Sequence, residues 1–383
     1  MILPIANGWK RSTLSSVIDL ISGQHIQVAD CNADGRGVPY LTGPSDFQNG
    51  EIKVSKFTES PQVCCKAGDV LLTVKGSGTG TLAIADREYC ISRQLMAIRP
   101  RNADSTFVRF VLESHSKTFN DVSAGLIPGI ARDDVLNAHI DVPPLVEQKR
   151  IGQVLATWSE AIDKSKRLIM ATNLRLTYLR EHYLRRDQRS IKLTKLHSVT
   201  QESTARNGKR LGRDAIMAVT KQNGLRPMRE ETIAANIERY KIVRPNAFAY
   251  NPMRMNIGSI AMSDFNDEKL VSPDYVVFEC DETKLLSGYL NHLRRTRAWV
   301  AHFESAGSGG VRVRIYYDDL GAFAIPLPAL EEQKRIVELL DTCVTEIKTL
   351  TRYLAALQVQ KRGLIQKLLT GKWRVNIPKV VCA

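Results

Sequence analysis

One segment of this chain occurs twice. Pro143, Leu145, Glu147, Gln148, Lys149, Arg150 and Ile151 return as Pro328, Leu330, Glu332, Gln333, Lys334, Arg335 and Ile336, each residue shifted by 185 positions within 383. Such a repeat restricts the fold to two copies of one design. A monomer built this way carries the same surface twice, related by a pseudo-two-fold rotation, as a dimer does through its axis.

Each copy runs on as an apolar ladder in alternating four- and three-residue steps. The first reads Ile151, Leu155, Trp158, Ile162, Ser165, Ile169, Thr172, Leu176, Leu179, Tyr183, and the second Ile336, Leu340, Cys343, Ile347, Leu350, Leu354, Leu357, Lys361, Leu364, Leu368. Only Ser165, Thr172 and Lys361 break the apolar set, so a period of about 3.5 residues persists through both. That spacing predicts two long helices, and a seam of this length needs an equally long partner, so each helix is expected to pack on the other. Pro143, Pro144 and Pro328 stand where a missing N–H costs little, and Gly371 follows Leu368 and Leu369 as a stop.

Two segments of similar size, residues 1–142 and 188–327, flank the first ladder, which occupies 143–187; the second ladder takes 328–372, leaving a tail at 373–383. The segments share landmarks. Asp69 to Thr73 with a glycine loop (Lys75, Ser77, Thr79 among Gly76, Gly78 and Gly80) correspond to Phe248 to Asn251 with Arg254, Asn256 and Gly258. Ile91-Ser92 matches Val271-Ser272, Ser123-Ala124-Gly125 matches Ser305-Ala306-Gly307, and Asp133-Asp134 matches Asp318-Asp319. Short β-branched or aromatic runs at 70–74, 96–99, 275–278 and 311–317, broken by Gly, Asn and Pro, predict mixed domains rich in strand. The fold class expected is therefore α+β: two mixed domains and two long helices in an antiparallel coiled coil, with a pseudo-two-fold internal repeat.

Charge narrows the partners. Lys and Arg number 54 against 40 Asp and Glu, a formal net charge of +14, so the long-range field attracts polyanions, nucleic acid first. No stretch reaches the roughly 20 apolar residues of a spanning helix. Seven cysteines without a C-x-x-C pair point to a reduced, cytoplasmic protein without a zinc ribbon.

The proline-led, Glu-Gln-Lys-Arg-Ile-headed helices, the closing Leu364-Ile365-Gln366-Lys367-Leu368-Leu369-Thr370-Gly371, the opening Gly8-Trp9-Lys10-Arg11 and the later Gly68-Asp69-Val70-Leu71 resemble the specificity subunit of type I restriction-modification systems over nearly the whole chain. The resemblance implies that residues 1–142 and 188–327 are target-recognition domains, each reading one half of a split double-stranded DNA target. The helices would form the spacer and dock two methyltransferase subunits, with restriction subunits joining that core. It further implies a chain that is not itself catalytic and holds no cofactor, with S-adenosylmethionine, ATP and Mg²⁺ on partner subunits. The tail after Trp373 has no counterpart in that pattern. Geometry agrees: from Ile151 to Tyr183 a helix runs roughly 48 Å at ~1.5 Å per residue, more than the ~34–36 Å of one DNA turn.

Among contact residues, Lys75, Ser77 and Thr79, and Arg254 and Asn256, lie on glycine loops whose amides can approach a phosphate. Arg93 and Gln94 pair the chemistries that suit guanine and adenine edges. Arg294, Arg295 and Arg297, beside His292 and Trp299, form a run suited to tracking phosphates, and Arg312 and Arg314 are expected on one face of a strand. Arg132 is a further DNA candidate. Lys149, Arg150, Lys334 and Arg335, at the helix starts, are candidates for subunit docking.

Two other classes stand beside this one: a coiled-coil nucleic-acid-binding scaffold whose basic charge serves RNA or another acidic partner, and a stand-alone Mg²⁺-dependent nuclease. Asp274, Glu282 and Lys284 superficially match a nuclease's carboxylates and lysine, but their spacing is short for strands meeting at one metal. Tyr250-Asn251-Pro252-Met253 lacks the second proline and the aromatic of an adenine methyltransferase motif, and Gly76, Gly78 and Gly80 match no nucleotide fingerprint.

Overall fold

The computed structural model describes residues 5–376 apart from 49–50, 77, 123–128, 186–191, 222–223 and 306–313. Seven α-helices appear there: α1 (Ser105–Val122), α2 (Arg132–Leu136), α3 (Leu145–Tyr183), α4 (Ser287–Leu293), α5 (Arg297–Ser305), α6 (Tyr317–Gly321) and α7 (Leu330–Leu368). Two compact units result, one from Met1–Arg167 with Arg352–Ala383, the other Leu168–Thr351. The long helices α3 and α7, 39 residues each, therefore contribute a half to each unit.

In the first unit Ile151 and Leu155, from the start of α3, share a core with Ile365 and Leu368 from the end of α7. In the second, Leu176 from the end of α3 meets Ile336, Leu340 and Cys343 from the start of α7. The start of each helix faces the end of the other, so the pair is antiparallel. Every ladder position is buried or half-buried, including Ser165, Thr172 and Lys361. Ser165 and Thr172 are small enough to sit in the seam, Ser165 returning its hydroxyl proton to the Ala161 carbonyl at 2.8 Å. Lys361 reaches out of it to Glu113 of α1, Nζ to Oε1 2.7 Å, with its ammonium over the Phe110 ring.

The first unit builds an antiparallel four-stranded sheet in the order Leu82–Ile84, Val70–Thr73, Leu95–Pro100, Ile18–Ser22, and a mixed five-stranded one in the order Cys31–Asn32, Phe57–Thr58, Val38–Leu41, Tyr89–Ile91, Cys64–Cys65, in which Tyr89–Ile91 runs parallel to Val38–Leu41. The second unit repeats the four-stranded sheet as Thr200–Glu202, Val276–Cys280, Phe248–Tyr250, Ile260–Met262. In both, an antiparallel ribbon leads into a long helix, Lys10–Thr13 with His139–Val142 before α3 and Leu193–Lys195 with Ala324–Pro326 before α7. The Asp pairs open equivalent short helices: Asp134 accepts from the Ala131 amide at 2.7 Å before α2, and Asp319 from the Tyr316 amide at 2.9 Å before α6.

The repeated Gln is a bracket between domain and helix. Gln148 donates to the Pro143 carbonyl and accepts from the Asp104 amide; Gln333 donates to Pro328 and Lys284 carbonyls and accepts from the Leu286 amide, all within 2.8–3.0 Å. Both side chains are buried. A primary amide is the one side chain of this length that can donate and accept at once without carrying charge.

The strand expected over 311–317 is not what forms at its end. Residues 314–316 are irregular and Tyr317 opens α6, because the Asp319 cap captures the Tyr316 amide that a ladder would use. Residues 311–313 and the landmark Ala306-Gly307, like Ser123-Ala124-Gly125, lie outside the described residues. The tail, for which the sequence offered no role, begins by docking on the first unit. Arg374 grips the buried Glu147 carboxylate with Nε at 2.6 Å and Nη2 at 2.8 Å and donates to the Asn7 carbonyl at 2.9 Å, while Trp9 Nε1 donates to the same carboxylate at 3.0 Å.

Candidate nucleic-acid interface

Both glycine loops are hairpin tips of the four-stranded sheets, Val70–Thr73 to Leu82–Ile84 and Phe248–Tyr250 to Ile260–Met262. At Gly76 and Gly258, φ is +90° and +86°, a region where a Cβ is disfavoured. The first loop is tightened by Thr79, whose hydroxyl donates to the Gly76 carbonyl at 2.6 Å, so that side chain is engaged internally. Lys75 is exposed; Ser77 lies outside the described residues. In the second loop Arg254 is exposed and Asn256 half-buried.

Arg93 and Gln94 follow the strand Tyr89–Ile91 and are both exposed. The turn that presents them is fixed from below. The Ser92 hydroxyl donates to the Thr42 carbonyl at 2.6 Å and accepts from the Gln94 amide at 3.2 Å. A Cβ at Gly43 would collide with the Gln94 amide oxygen, so that glycine makes room for the glutamine. Arg132, by contrast, is spent on structure, with Nη1 donating to Ser22 Oγ at 2.8 Å and Nη2 to the Leu20 carbonyl at 3.0 Å.

The run at 292–299 does not form a surface stripe. His292 and Trp299 are buried. Arg294 is turned inward: Nε and Nη2 donate to Asn291 Oδ1 at 3.0 and 2.8 Å, and Nη1 to the Ile260 carbonyl at 2.8 Å. A helical period places successive residues about 100° apart, so α4 and α5 divide the run between core and solvent, leaving Arg295 and Arg297 exposed. Arg314 is exposed with Nη1 donating to Tyr316 Oη at 3.3 Å; Arg312 lies outside the described residues.

What the run does line is a cleft of about 710 Å³ in the second unit, where Arg294, Arg295, Lys221, Arg226 and Lys348 outnumber the acidic Asp264, Glu304 and Asp341, with Asn256 also on the wall. The acceptors that hold Arg294 are neutral, and burial, then Arg295 and Arg180, disfavour its charge. Positive charge gathered in a concave, partly desolvated space attracts an anion more strongly than the same charge on a flat surface. Lys221 and Arg226 were missed in sequence because they reach the cleft only through the hairpin Met217–Thr220 with Gly224–Pro227.

On the wall of the cleft a relay through the buried His292 to the exposed Asp341 ties this domain to its helices. Arg180 Nε donates to His292 Nδ1 at 3.3 Å, which leaves Nε2 to donate to Asp341 Oδ1 at 2.9 Å. Burial, outweighing the Asp341 contact, pushes the His292 pKa down.

At the helix starts Lys149, Arg150, Lys334 and Arg335 are exposed, with Lys334 to Glu331 at 2.8 Å and Arg335 to Glu332 at 3.6 Å. Glu147 and the two glutamines of the same motif are buried and out of a partner's reach. A second exposed feature was legible in sequence and overlooked. Met170, Leu174 and Tyr178 recur every four residues on α3 and are 65%, 63% and 66% exposed. Each lies two positions from a seam residue, about 200° around the helix. In the other copy Tyr353 and Val359, the repeats of Leu168 and Leu174, are also exposed.

The nuclease-like residues are engaged elsewhere. Glu282 Oε1 accepts from the Ser287 amide at 3.1 Å at the start of α4. Lys284 pairs with Asp281 at 2.7 Å, which holds that carboxyl down at about 2. Among the described residues no group of three His, Cys, Asp or Glu could hold a metal ion, and no helix is long and apolar enough to cross a membrane.

Comparison with known proteins places this architecture. The type I restriction modification DNA specificity domain matches residues 6–171 and 235–358. A Methanocaldococcus jannaschii protein assigned as a type I restriction enzyme specificity subunit is 30% identical over 171 residues, 41% of this chain and 40% of that one. A Haemophilus influenzae protein assigned likewise is 33% identical over 108 residues, 28% and 27% of the two chains. These alignments thus span less than half of either relative. The crystal structure of the type I restriction-modification S subunit from M. genitalium superposes with a TM-score of 0.60 at 13% identity, covering 96% of this chain and 98% of that one. A chain from a study of type I restriction-modification complex assembly superposes at 0.58 and 17% identity, covering 97% and 100%. With two matched regions on a duplicated fold, the chain belongs to the type I restriction-modification DNA specificity family.

Proposed function

We propose that this chain selects the DNA target of a type I restriction-modification complex, each sheet domain reading one half of a bipartite site and the paired helices setting the distance between the halves. The observation that carries this reading is the duplication itself. Two related domains with different loop residues, each rooted on the same helical pair, suit two different half-sites with an unread spacer, which a dimer of identical chains could not match without palindromy.

Base reading falls to the exposed tips, Arg93 and Gln94 in the first domain and Arg254 with Asn256 in the second, whose side chains suit purine edges. Lys75, the cleft arginines, Arg297 and Arg314 supply phosphate contacts, in keeping with the net charge of +14. The outer apolar row on α3, together with the basic helix starts, takes part in receiving two methyltransferase subunits. An exposed apolar row opposite a filled seam suits a further helix packed alongside. Chemistry, with S-adenosylmethionine, ATP and Mg²⁺, resides on those partners and on the restriction subunits, in the cytoplasm, and this chain contributes specificity alone.

Single-molecule methylation mapping in cells tests the assignment. Arg93→Ala with Gln94→Ala should relax or abolish one half of the methylated motif, and Arg254→Ala with Asn256→Ala the other. If each pair of changes weakened all positions of both halves equally, these residues would be phosphate contacts or structural.

A further inference from the structure

We propose that Cys64 and Cys90 are a redox modification site, closing to a reversible cross-strand disulfide beneath the first domain's exposed loops. The strands Cys64–Cys65 and Tyr89–Ile91 run antiparallel with Cys90 opposite Cys64. The neighbouring pair is joined by the Ile91 amide donating to the Val63 carbonyl at 2.9 Å. Hydrogen-bonded and non-hydrogen-bonded pairs alternate along an antiparallel ladder, so the two cysteines form the non-hydrogen-bonded kind, in which Cα atoms approach to about 4.5 Å and side chains lie closest. That separation falls within the range a disulfide spans, ~4.4–6.8 Å between Cα atoms.

The surroundings agree. Both thiols pack in one small apolar cluster with Ile26 and Tyr40; Cys31 touches the same cluster but lies opposite Thr58 in its ladder, not opposite Cys90. Cys65, one residue on from Cys64, points to the opposite face and joins a different core with Leu41 and Leu71. All the described cysteines are free thiols. Cys64 is half-buried and Cys90 fully buried, so an oxidant meets Cys64 first and Cys90 resolves.

With a small-molecule disulfide such as oxidised glutathione, the Cys64 thiolate attacks one sulfur and expels one thiolate. The Cys90 thiolate then attacks the Cys64 sulfur of that mixed disulfide and expels the second. The protein gives up two protons and two electrons, and the small disulfide is reduced to two thiols. Burial, then the adjacent Cys90, raises the Cys64 pKa to about 11. The attacking thiolate is therefore scarce near neutrality, and closure should accelerate about tenfold per pH unit between roughly pH 7 and 9. The bond would enclose the strand Val70–Thr73 and the Lys75 hairpin tip, and it lies three residues before Arg93. These are the segments given DNA contacts above, but formation of the bond does not depend on that reading.

The test uses the full-length protein, incubated with oxidised glutathione, quenched with N-ethylmaleimide and digested without reductant. The expected result is a peptide linking Cys64 to Cys90, two hydrogens lighter than its separate thiol halves and lost on reduction. Cys90→Ser should leave a stable glutathione adduct on Cys64, and Cys343→Ser, in the helix seam, should leave the crosslink intact. A Cys64–Cys65 or Cys31 crosslink in the wild-type chain, a persistent adduct on wild-type Cys64, or no reaction at pH 9 would each overturn the proposal. Because those readouts need only the wild-type chain, they hold even if Cys90→Ser folds poorly.

Discussion

The repeated motif does unequal work at its successive residues. Gln333 is buried with both amide atoms bonded, so Gln333→Leu leaves the Leu286 amide without its acceptor. A buried unsatisfied donor costs about 1–3 kcal/mol, and denaturant unfolding should show that loss. Lys334→Ala, one residue on and exposed, should stay within about 0.5 kcal/mol. His292 gives the second unit a pH response. Its folded pKa lies below the unfolded value, so the neutral ring contributes stability that is fully present above about pH 6.5. That contribution is lost as pH falls, because the unfolded chain takes up the proton more readily while the native ring would have to charge beside Arg180 and Arg295. Melting temperatures of wild type should fall between pH 7 and 5.5 more than those of His292→Gln; parallel curves would show that other groups set the slope. Residue type alone could not separate these roles. Glu147 and Glu332 are identical in sequence, but Trp9 and Arg374 bury one while the other stays exposed, and that difference comes from partners 138 and 227 positions away.

At the scale of elements the helices were the legible part. A seam is written in one helix by its own period, so all twenty ladder positions could be named before any packing was known, and Ser165 and Thr172 fell into place because their neighbours fixed the phase. The sheets were only partly legible. Strand pairs such as Ile18–Ser22 with Leu95–Pro100 join residues far apart in sequence, and the capped turn at Tyr316 overrode a run that looked extended. The arginine run failed for a related reason, since two short helices split it between cleft, core and surface. The two faces of α3 and α7 should respond oppositely to substitution. Leu340→Ala removes a fully buried seam side chain and should cost about 2–5 kcal/mol. Leu174→Ser on the outer face should change stability by no more than about 0.5 kcal/mol, yet combined with Met170→Ser and Tyr178→Ser it should sharply reduce co-purification with the methyltransferase subunit. Full recovery of that complex would place the docking surface elsewhere.

For the whole molecule, the proposed function makes the long helices a measure of distance. One heptad inserted at matching depths of α3 and α7 keeps the seam in phase and lengthens each helix by about 10 Å at ~1.5 Å per residue. That is close to three base pairs at ~3.4 Å each, which also turn the groove by roughly 100° at ~10.5 pairs per turn. Methylation of the native target should be lost or weak, and any restored activity should select the same two halves around a longer spacer. Independence of the two readers is tested most directly by exchanging residues 188–327 for the equivalent region of a relative with a different target and mapping methylated bases across the genome. The two-reader mechanism predicts a motif in which one half is replaced and the other half is kept. A motif in which both halves change, or neither does, would contradict it.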